Sequence, residues 1–229
     1  MKWKRKIVWG PVLAGAGLLV LWMLFGGTGL PKSLDRPVSH AIGDGHTTTL
    51  GRLFGEQLTG QGDHSGVLLL ANGLDAFVAR ARLAQMDERS IDVQYYMFHQ
   101  DTVGRLLIKE RLDAAERGVR VRMLIDDIYG SEADDVWTAL DAHPNMEVRL
   151  FNPFTRKRFR SLRSLFQVNR VLHRMHSKSF TVDNQGAIVD DRNIGDEYFD
   201  ANSDLAFADM DLLTIGPVVP QVSAAFGEY

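Results

Sequence analysis

The chain has no cysteine. That excludes a disulfide framework, a thiolate metal site, a cysteine nucleophile and a cysteine-linked lipid anchor. It leaves the redox compartment open. A surplus of one charge is missing too. The sequence carries 26 basic and 29 acidic residues, for a net charge of -3, so global charge nominates no polyanionic partner. There is no internal repeat and no low-complexity segment, which sets solenoids and disordered tracts aside. The 229 residues, 45% hydrophobic and 24% charged, suit one sizeable domain, or one domain plus an anchor.

Long apolar runs are absent with one exception. Residues 7–30 carry no charged side chain and follow Lys2, Lys4, Arg5 and Lys6. At ~1.5 Å per helical residue the run is long enough for a hydrocarbon core of ~30 Å. Trp3, Trp9 and Trp22 suit the headgroup region. The alternative is a cleaved signal peptide. Its apolar core would be ~7–15 residues, and Gly26-Gly27-Thr28-Gly29 is a poor cleavage site. The expectation is therefore a basic cytoplasmic N-terminus at 1–6 and a transmembrane signal anchor at 7–30. The basic flank puts the body across the membrane.

Residues 31–65, rich in Gly, Thr, His and Asp, read as a linker with one short amphipathic helix near Leu50–Leu58. From residue 66 to 229 strand and helix patterns alternate. Strands are expected at Gly66–Leu70, Ser90–Met97, Val119–Ile125, Met146–Phe151 and Asp211–Ile215. Ser179–Val182 and Ala187–Val189 should form a hairpin around Asp183-Asn184-Gln185-Gly186. Helices are expected at Asn72–Met86, Gly104–Arg117 with Gly118 as its stop, Ala133–Ala142, and after Pro217. This alternation predicts an α/β fold, a mixed β-sheet flanked by helices, preceded by one N-terminal transmembrane helix.

The chemistry concentrates in His176-Ser-Lys178-Ser-Phe-Thr-Val-Asp183. Side chains alternate along a strand, so His176 and Lys178 share a face. Asn193 follows ten residues after Asp183. An imidazole, an ammonium and a carboxamide converging on one anion suit phosphoryl transfer. The imidazole attacks phosphorus, and Lys178 and Asn193 hold the oxygens on which charge develops. A carboxylate on the second ring nitrogen would fix the tautomer. No metal is required by this set. Asp126-Asp127 reads as a cap in preference to a metal site, and His173 and His176 fall on opposite sides of a strand.

These residues resemble the HKD motif of the phospholipase D superfamily. The resemblance extends through Ser90-Ile-Asp-Val-Gln94-Tyr95-Tyr96, Asp101 and Gly104. It continues through Arg117-Gly-Val-Arg-Val-Arg before Asp126-Asp127, Arg192-Asn193-Ile-Gly-Asp-Glu-Tyr-Phe199, and Phe207-Ala-Asp209-Met-Asp211 with Gly216-Pro217. It covers about residues 64–229 and is similar to the bacterial cardiolipin synthase branch. It implies a phospholipase D-like half-domain at 66–229 whose site is completed by a second HKD half, from a homodimer partner or from a C-terminal half. The implied activity is phosphatidyl transfer on membrane phospholipids through a phosphohistidine, without a cofactor. The implied catalytic set is His176, Lys178, Asp183, Asn193 and Asp209. Asp209 would orient the histidine, and the role of Asp183 is more structural. The implied location is a bacterial inner membrane, single-pass, with the soluble part periplasmic.

Between Phe151 and Val182 there is no acidic residue, and Arg156, Lys157, Arg158, Arg160, Arg163, Arg170, Arg174 and Lys178 alternate with apolar ones. This favours contact with an anionic lipid surface over single-stranded nucleic acid. Tyr95, Tyr96 and Arg174 are the candidates for substrate binding, although at least one of the tyrosines fits strand core better. Two rivals stand beside the lipid enzyme: a dimeric HKD nuclease and an inactive, truncated membrane-anchored remnant. The remnant is motivated by Asp190-Asp191, where relatives carry small residues. Like-charge contacts at ~4 Å would disfavour a phosphate by roughly 1–4 kcal/mol each.

Overall fold

The computed structural model describes residues 9–25, 38–128, 133–154, 172–202, 204 and 206–229. The basic N-terminus, part of the expected linker and most of the basic stretch after Phe154 lie outside the described residues. Two compact units are defined, one from residues 1–34 and 153–173, the other from 35–152 and 174–229.

Of the first unit, the main described element is helix α1, Trp9–Phe25, with 17 residues and no charge. At ~1.5 Å per residue it measures about 25 Å, short of a ~30 Å hydrocarbon core. Among the described residues no helix is long and apolar enough to cross a membrane. The expected span over 7–30 extends beyond the described residues at both ends, and the described part of it is this apolar helix. The uncharged run continues past Phe25, but α1 is described only to that residue.

The second unit holds the α/β domain. Its order is α2 (Thr49–Gln57), β1 (Gly66–Leu70), α3 (Gly73–Met86), β2 (Ser90–Tyr95), α4 (Thr102–Glu116), β3 (Arg120–Asp126), α5 (Asp134–Asp141), β4 (Met146–Phe151), β5 (Ser179–Val182), β6 (Gly186–Asp190), β7 (Asp211–Ile215) and α6 (Val218–Gly227). The seven strands form one mixed sheet in the order β1-β7-β6-β5-β2-β3-β4. β2, β3 and β4 run parallel, as helical crossovers require. The other pairings are antiparallel. The β5–β6 hairpin turns through Asp183 and Asn184, both at positive φ, with the Gln185 N–H donated to Val182 at 2.9 Å. Asn and Asp tolerate that backbone, which suits a primed turn.

One face of the sheet carries Ile91, Val93, Phe180, Val182 and Ile188, all fully buried. They form the main core with Leu83, Leu107 and Trp137 from the helices. α3 and α4 open on side-chain caps, and α4 starts at Thr102, two residues before the expected Gly104. Asn72 accepts the Asp75 N–H at 2.8 Å, and Asp101 accepts the Gly104 N–H at 3.0 Å. Both are side-chain caps for otherwise unpaired amide groups.

Residues 38–58 are part of this domain and not a linker. Leu50 is buried in the core. The Asn184 amide donates to the Ile42 carbonyl at 2.9 Å, and Arg122 donates to the Ser39 carbonyl at 2.7 Å. Gly45 and Gly51 are there for close approach. A Cβ on Gly45 would sit 1.8 Å from the Asp183 carbonyl oxygen, and one on Gly51 would sit 2.2 Å from the Gly45 oxygen. We expect Leu50→Ala to lower stability by about 2–4 kcal/mol, the usual cost of emptying a packed leucine site. Urea denaturation measures it. A loss under about 0.5 kcal/mol would return the segment to linker status.

Candidate active site

His176 and Lys178 lie in the extended lead-in to β5, and the preceding two residues anchor it. Asp126, at the end of β3, accepts the Met175 N–H at 2.9 Å with one carboxylate oxygen and Arg174 Nη1 at 2.9 Å with the other. Met175 is buried against Leu124 and Phe226, and Gln94 of β2 donates to its sulfur at 3.0 Å. Fixed at 174–175, the chain presents the His176 side chain to solvent. Lys178 is buried. Its Nζ lies 3.3 Å from His176 Nδ1 and donates to the His176 carbonyl at 3.2 Å. The alternation expected from the sequence therefore brings the two side chains together.

The third expected member arrives on another segment. Asn193 follows β6 and is buried. Ile194 forms a parallel bridge with Phe98. Asn193 Oδ1 accepts the Met97 N–H at 3.2 Å, so its NH2 is the end left to donate. Tyr96, one residue earlier, has its ring centroid 5.0 Å from that of His176. Asn193 is thus fixed next to the residue that packs on the imidazole.

Beneath these groups lies a buried charge network that the sequence reading missed. Arg80 of α3 is fully buried. It donates to Asp211 at 2.8 Å, to Tyr95 Oη at 3.0 Å, to the Ala76 carbonyl at 2.8 Å, and to Asp190. Arg192 is paired with Asp211 at 3.2 Å, donates to the Asp209 carbonyl at 2.6 Å, and donates to the Tyr198 carbonyl. Both guanidiniums lie 5.4 Å from the centroid of the Phe199 ring, which the cation–π attraction favours. The signal in the sequence was an arginine on the small apolar stripe of a helix, at Ala76-x-x-x-Arg80-x-x-x-Ala84.

Several candidates move. Tyr95 is buried in the sheet and hydrogen-bonded to Arg80 and Asp190, so of the two tyrosines only Tyr96 is at the site. Arg174 is tied to Asp126 and to the Asn152 carbonyl. It holds the lead-in. Asp183 lies among backbone donors. It sits at the far end of β5, where its carboxylate accepts the N–H groups of Arg89 at 2.8 Å, Ser90 at 3.1 Å and Glu88 at 3.2 Å. That staples the start of β2 to the hairpin. Asp209 is half-buried, and its Oδ2 has no hydrogen-bond partner. Burial raises its pKa, and Lys178 and Asp191 are among the charges it feels. Among the described hydrogen bonds none joins it to His176. A cavity of about 250 Å³ opens beside it, lined by Asn72, Arg192, Asp200 and Phe207 among others.

The tandem acids separate. Asp190 points inward to Arg80, so it opposes no phosphate, against the expectation for the pair. Asp191 points outward, 79% exposed, with Oδ1 3.5 Å from Lys178 Nζ. Asp126 caps the next segment as expected, accepting the Ile128 N–H at 2.9 Å.

The imidazole and the buried ammonium meet in the lead-in to β5, and the carboxamide is held on the segment after β6 of this α/β domain. Comparison with known proteins narrows this. Residues 80–226 match the family described as cardiolipin synthase, PLD-like domain, and the chain belongs to that family. It is 49% identical over 164 residues to cardiolipin synthase C of Escherichia coli, covering 72% of this chain and 35% of that protein. It is 40% identical over 196 residues to an uncharacterized protein of Helicobacter pylori, covering 84% and 38%. The chain thus spans about a third of the length of these relatives. Among solved structures it shares its fold with NucT from Helicobacter pylori, at TM-score 0.53 and 15% identity, covering 72% of this chain and 93% of that one. Phosphatidylserine synthase of Haemophilus influenzae matches at TM-score 0.53 and 13% identity, covering 69% and 35%.

Two predictions follow from the geometry. Burial pushes Asp190 up to about 7 against the pull of Arg80. The unfolded chain releases this proton near 4. The folded form therefore holds a proton that the unfolded form has lost, and stability from this group falls as pH rises from about 4 to about 7. Asp190→Asn should flatten that part of a plot of urea midpoint against pH; an unchanged slope refutes it. Asp183→Ala should cost about 3 kcal/mol, because it strands buried N–H donors and puts Ala at positive φ. Asp183→Asn, which keeps an acceptor oxygen, should cost less by the same assay.

Proposed function

We propose that this domain carries one half of a phosphatidyltransferase site and acts on phospholipid phosphodiesters through a phosphohistidine at His176. The observation that carries the reading is the buried Lys178 ammonium 3.3 Å from the exposed imidazole. A buried cation beside an exposed nucleophile is where a phosphate oxygen gains most from electrostatic contact. Family membership supports the lipid class of substrate. The apolar helix α1 behind a basic N-terminal flank supports action at a membrane surface.

In this mechanism Lys178 and the Asn193 NH2 take the non-bridging oxygens while an imidazole nitrogen attacks phosphorus. A P–N bond forms, the bond to the leaving alkoxide breaks, and a proton from a second histidine goes to that alkoxide. The second histidine belongs to another HKD half, either a second copy or a further segment of chain. It then removes the proton of an acceptor hydroxyl, which attacks phosphorus and frees His176. An ammonium only donates, so its contact with Nδ1 keeps the proton of a neutral ring on Nε2. Attack by Nε2 requires Nδ1 to exchange Lys178 for an acceptor. Asp209, with an unpartnered carboxylate oxygen and charge coupling to Lys178, is the group suited to that exchange.

The test uses the full chain with vesicles of an anionic glycerophospholipid. Mass spectrometry follows lipid products and a phosphate adduct on His176. His176→Ala should remove the adduct and lower turnover by at least about 10³-fold. Undiminished transfer in that variant ends the reading. Cleavage of plasmid DNA without lipid turnover replaces it with a nuclease.

A further inference from the structure

The two acids at 190 and 191 stand next to one another yet do different work. Asp190 and Arg80 are both fully buried and paired. Asp191 is exposed, and its carboxylate is the one anionic side chain described within ion-pair distance of Lys178. Lys178 has a side-chain exposure of 1%, so its ammonium is largely stripped of water and needs an anion. Asp191 supplies it from the exposed side of the ammonium, where a phosphate oxygen would bind on the proposed reading. Asp209 adds a second carboxylate to the same field.

From this geometry we infer that Asp191 is a specificity-determining residue: a tethered competitor that holds Lys178 until a phosphodiester displaces it, and that screens ligands by charge. The inference rests on the phosphate-binding reading of Lys178. Lys178 faces the carboxylates of Asp191 and Asp209, while Arg192 is already paired with Asp211. A monoanionic diester needs to displace only one exposed carboxylate, whose side chain is free to swing into water. A dianionic monoester or inorganic phosphate meets twice the repulsion from that carboxylate, because Coulomb energy scales with the ligand's charge. The site is therefore biased toward diesters and away from phosphomonoesters and free phosphate. Asp191 touches the substrate-binding lysine and takes no part in bond making.

The experiment titrates the full-length chain, at low ionic strength and mildly alkaline pH, with inorganic phosphate and separately with dimethyl phosphate. Binding is read from the His176 ring protons by NMR. Asp191→Asn should tighten binding of the dianion about tenfold and of the monoanionic diester about threefold, and added salt should shrink both gains. Asp63→Asn, which removes an exposed charge elsewhere, should change neither, so a gain there would mark a net-charge effect and overturn the proposal. Equal gains for the two ligands, or none, would also overturn it. Lys178→Met keeps the arms distinct. If phosphate binding is lost in Lys178→Met but unaltered in Asp191→Asn, the competitor role fails and the phosphate site survives. If Lys178→Met binds phosphate as the native chain does, the phosphate-site reading itself falls, and the competitor role with it.

Discussion

The arrangement at the strand ends depends on four buried charges that must satisfy one another. Arg80 and Arg192 face Asp190 and Asp211 with almost no water present. Removing one partner from such a set strands the others, which typically costs about 3–5 kcal/mol. The geometry is therefore hard to relax. Register partners Asp190 and Asp211 lie side by side on adjacent strands, and Arg80 bridges them from the helix above. Arg192 closes the set from the segment that carries Asn193. The network thereby ties the amide of one segment, the backbone of Asp209 and the end of β6 to a single rigid base.

The histidine is positioned by a separate set of contacts. Asp126 and Gln94 fix residues 174–175, and among the described contacts the His176 side chain meets Lys178 and the Tyr96 ring. The contrast has a physical meaning. Lys178 and the Asn193 amide are buried and held, while the His176 imidazole stays exposed. Buried polar groups gain strength from the low local dielectric only while they are partnered. Lys178 meets this condition through the His176 carbonyl and ring and through Asp191.

Much of this was legible in the sequence because it is periodic. Alternation along residues 179–182 and 187–189 located the hairpin, and Asp183-Asn184 announced a turn at positive φ. The same alternation put His176 and Lys178 together. What failed was inference from composition. Residues 38–58 read as a linker because Gly, Thr and His are frequent there, yet Gly45 and Gly51 serve close packing, which composition does not distinguish from flexibility. Arg174 read as a substrate ligand because it lies in a basic run; its partner Asp126 is 48 residues away in sequence. Asp190 was grouped with Asp191 because they are adjacent. Strand parity would have separated them, since Asp190 shares a face with the buried Ile188. The long-range ion pairs are the part that local pattern carries least.

On the proposed reading, the need for a second half follows from the same accounting. The described cations close to the nucleophile are few: Arg80 and Arg192 are spent on Asp190 and Asp211, Arg174 on Asp126, and only Lys178 reaches the imidazole. Phosphoryl transfer needs charge stabilised on the non-bridging oxygens and a proton for the leaving oxygen. One lysine and one amide supply part of the first requirement, and a single imidazole engaged in attack cannot serve the second. On the proposed reading, a further basic residue and a second acid would face His176 from beyond the described elements. That requirement comes from the charges present and not from the length of the relatives, and it agrees with a chain that spans about a third of them.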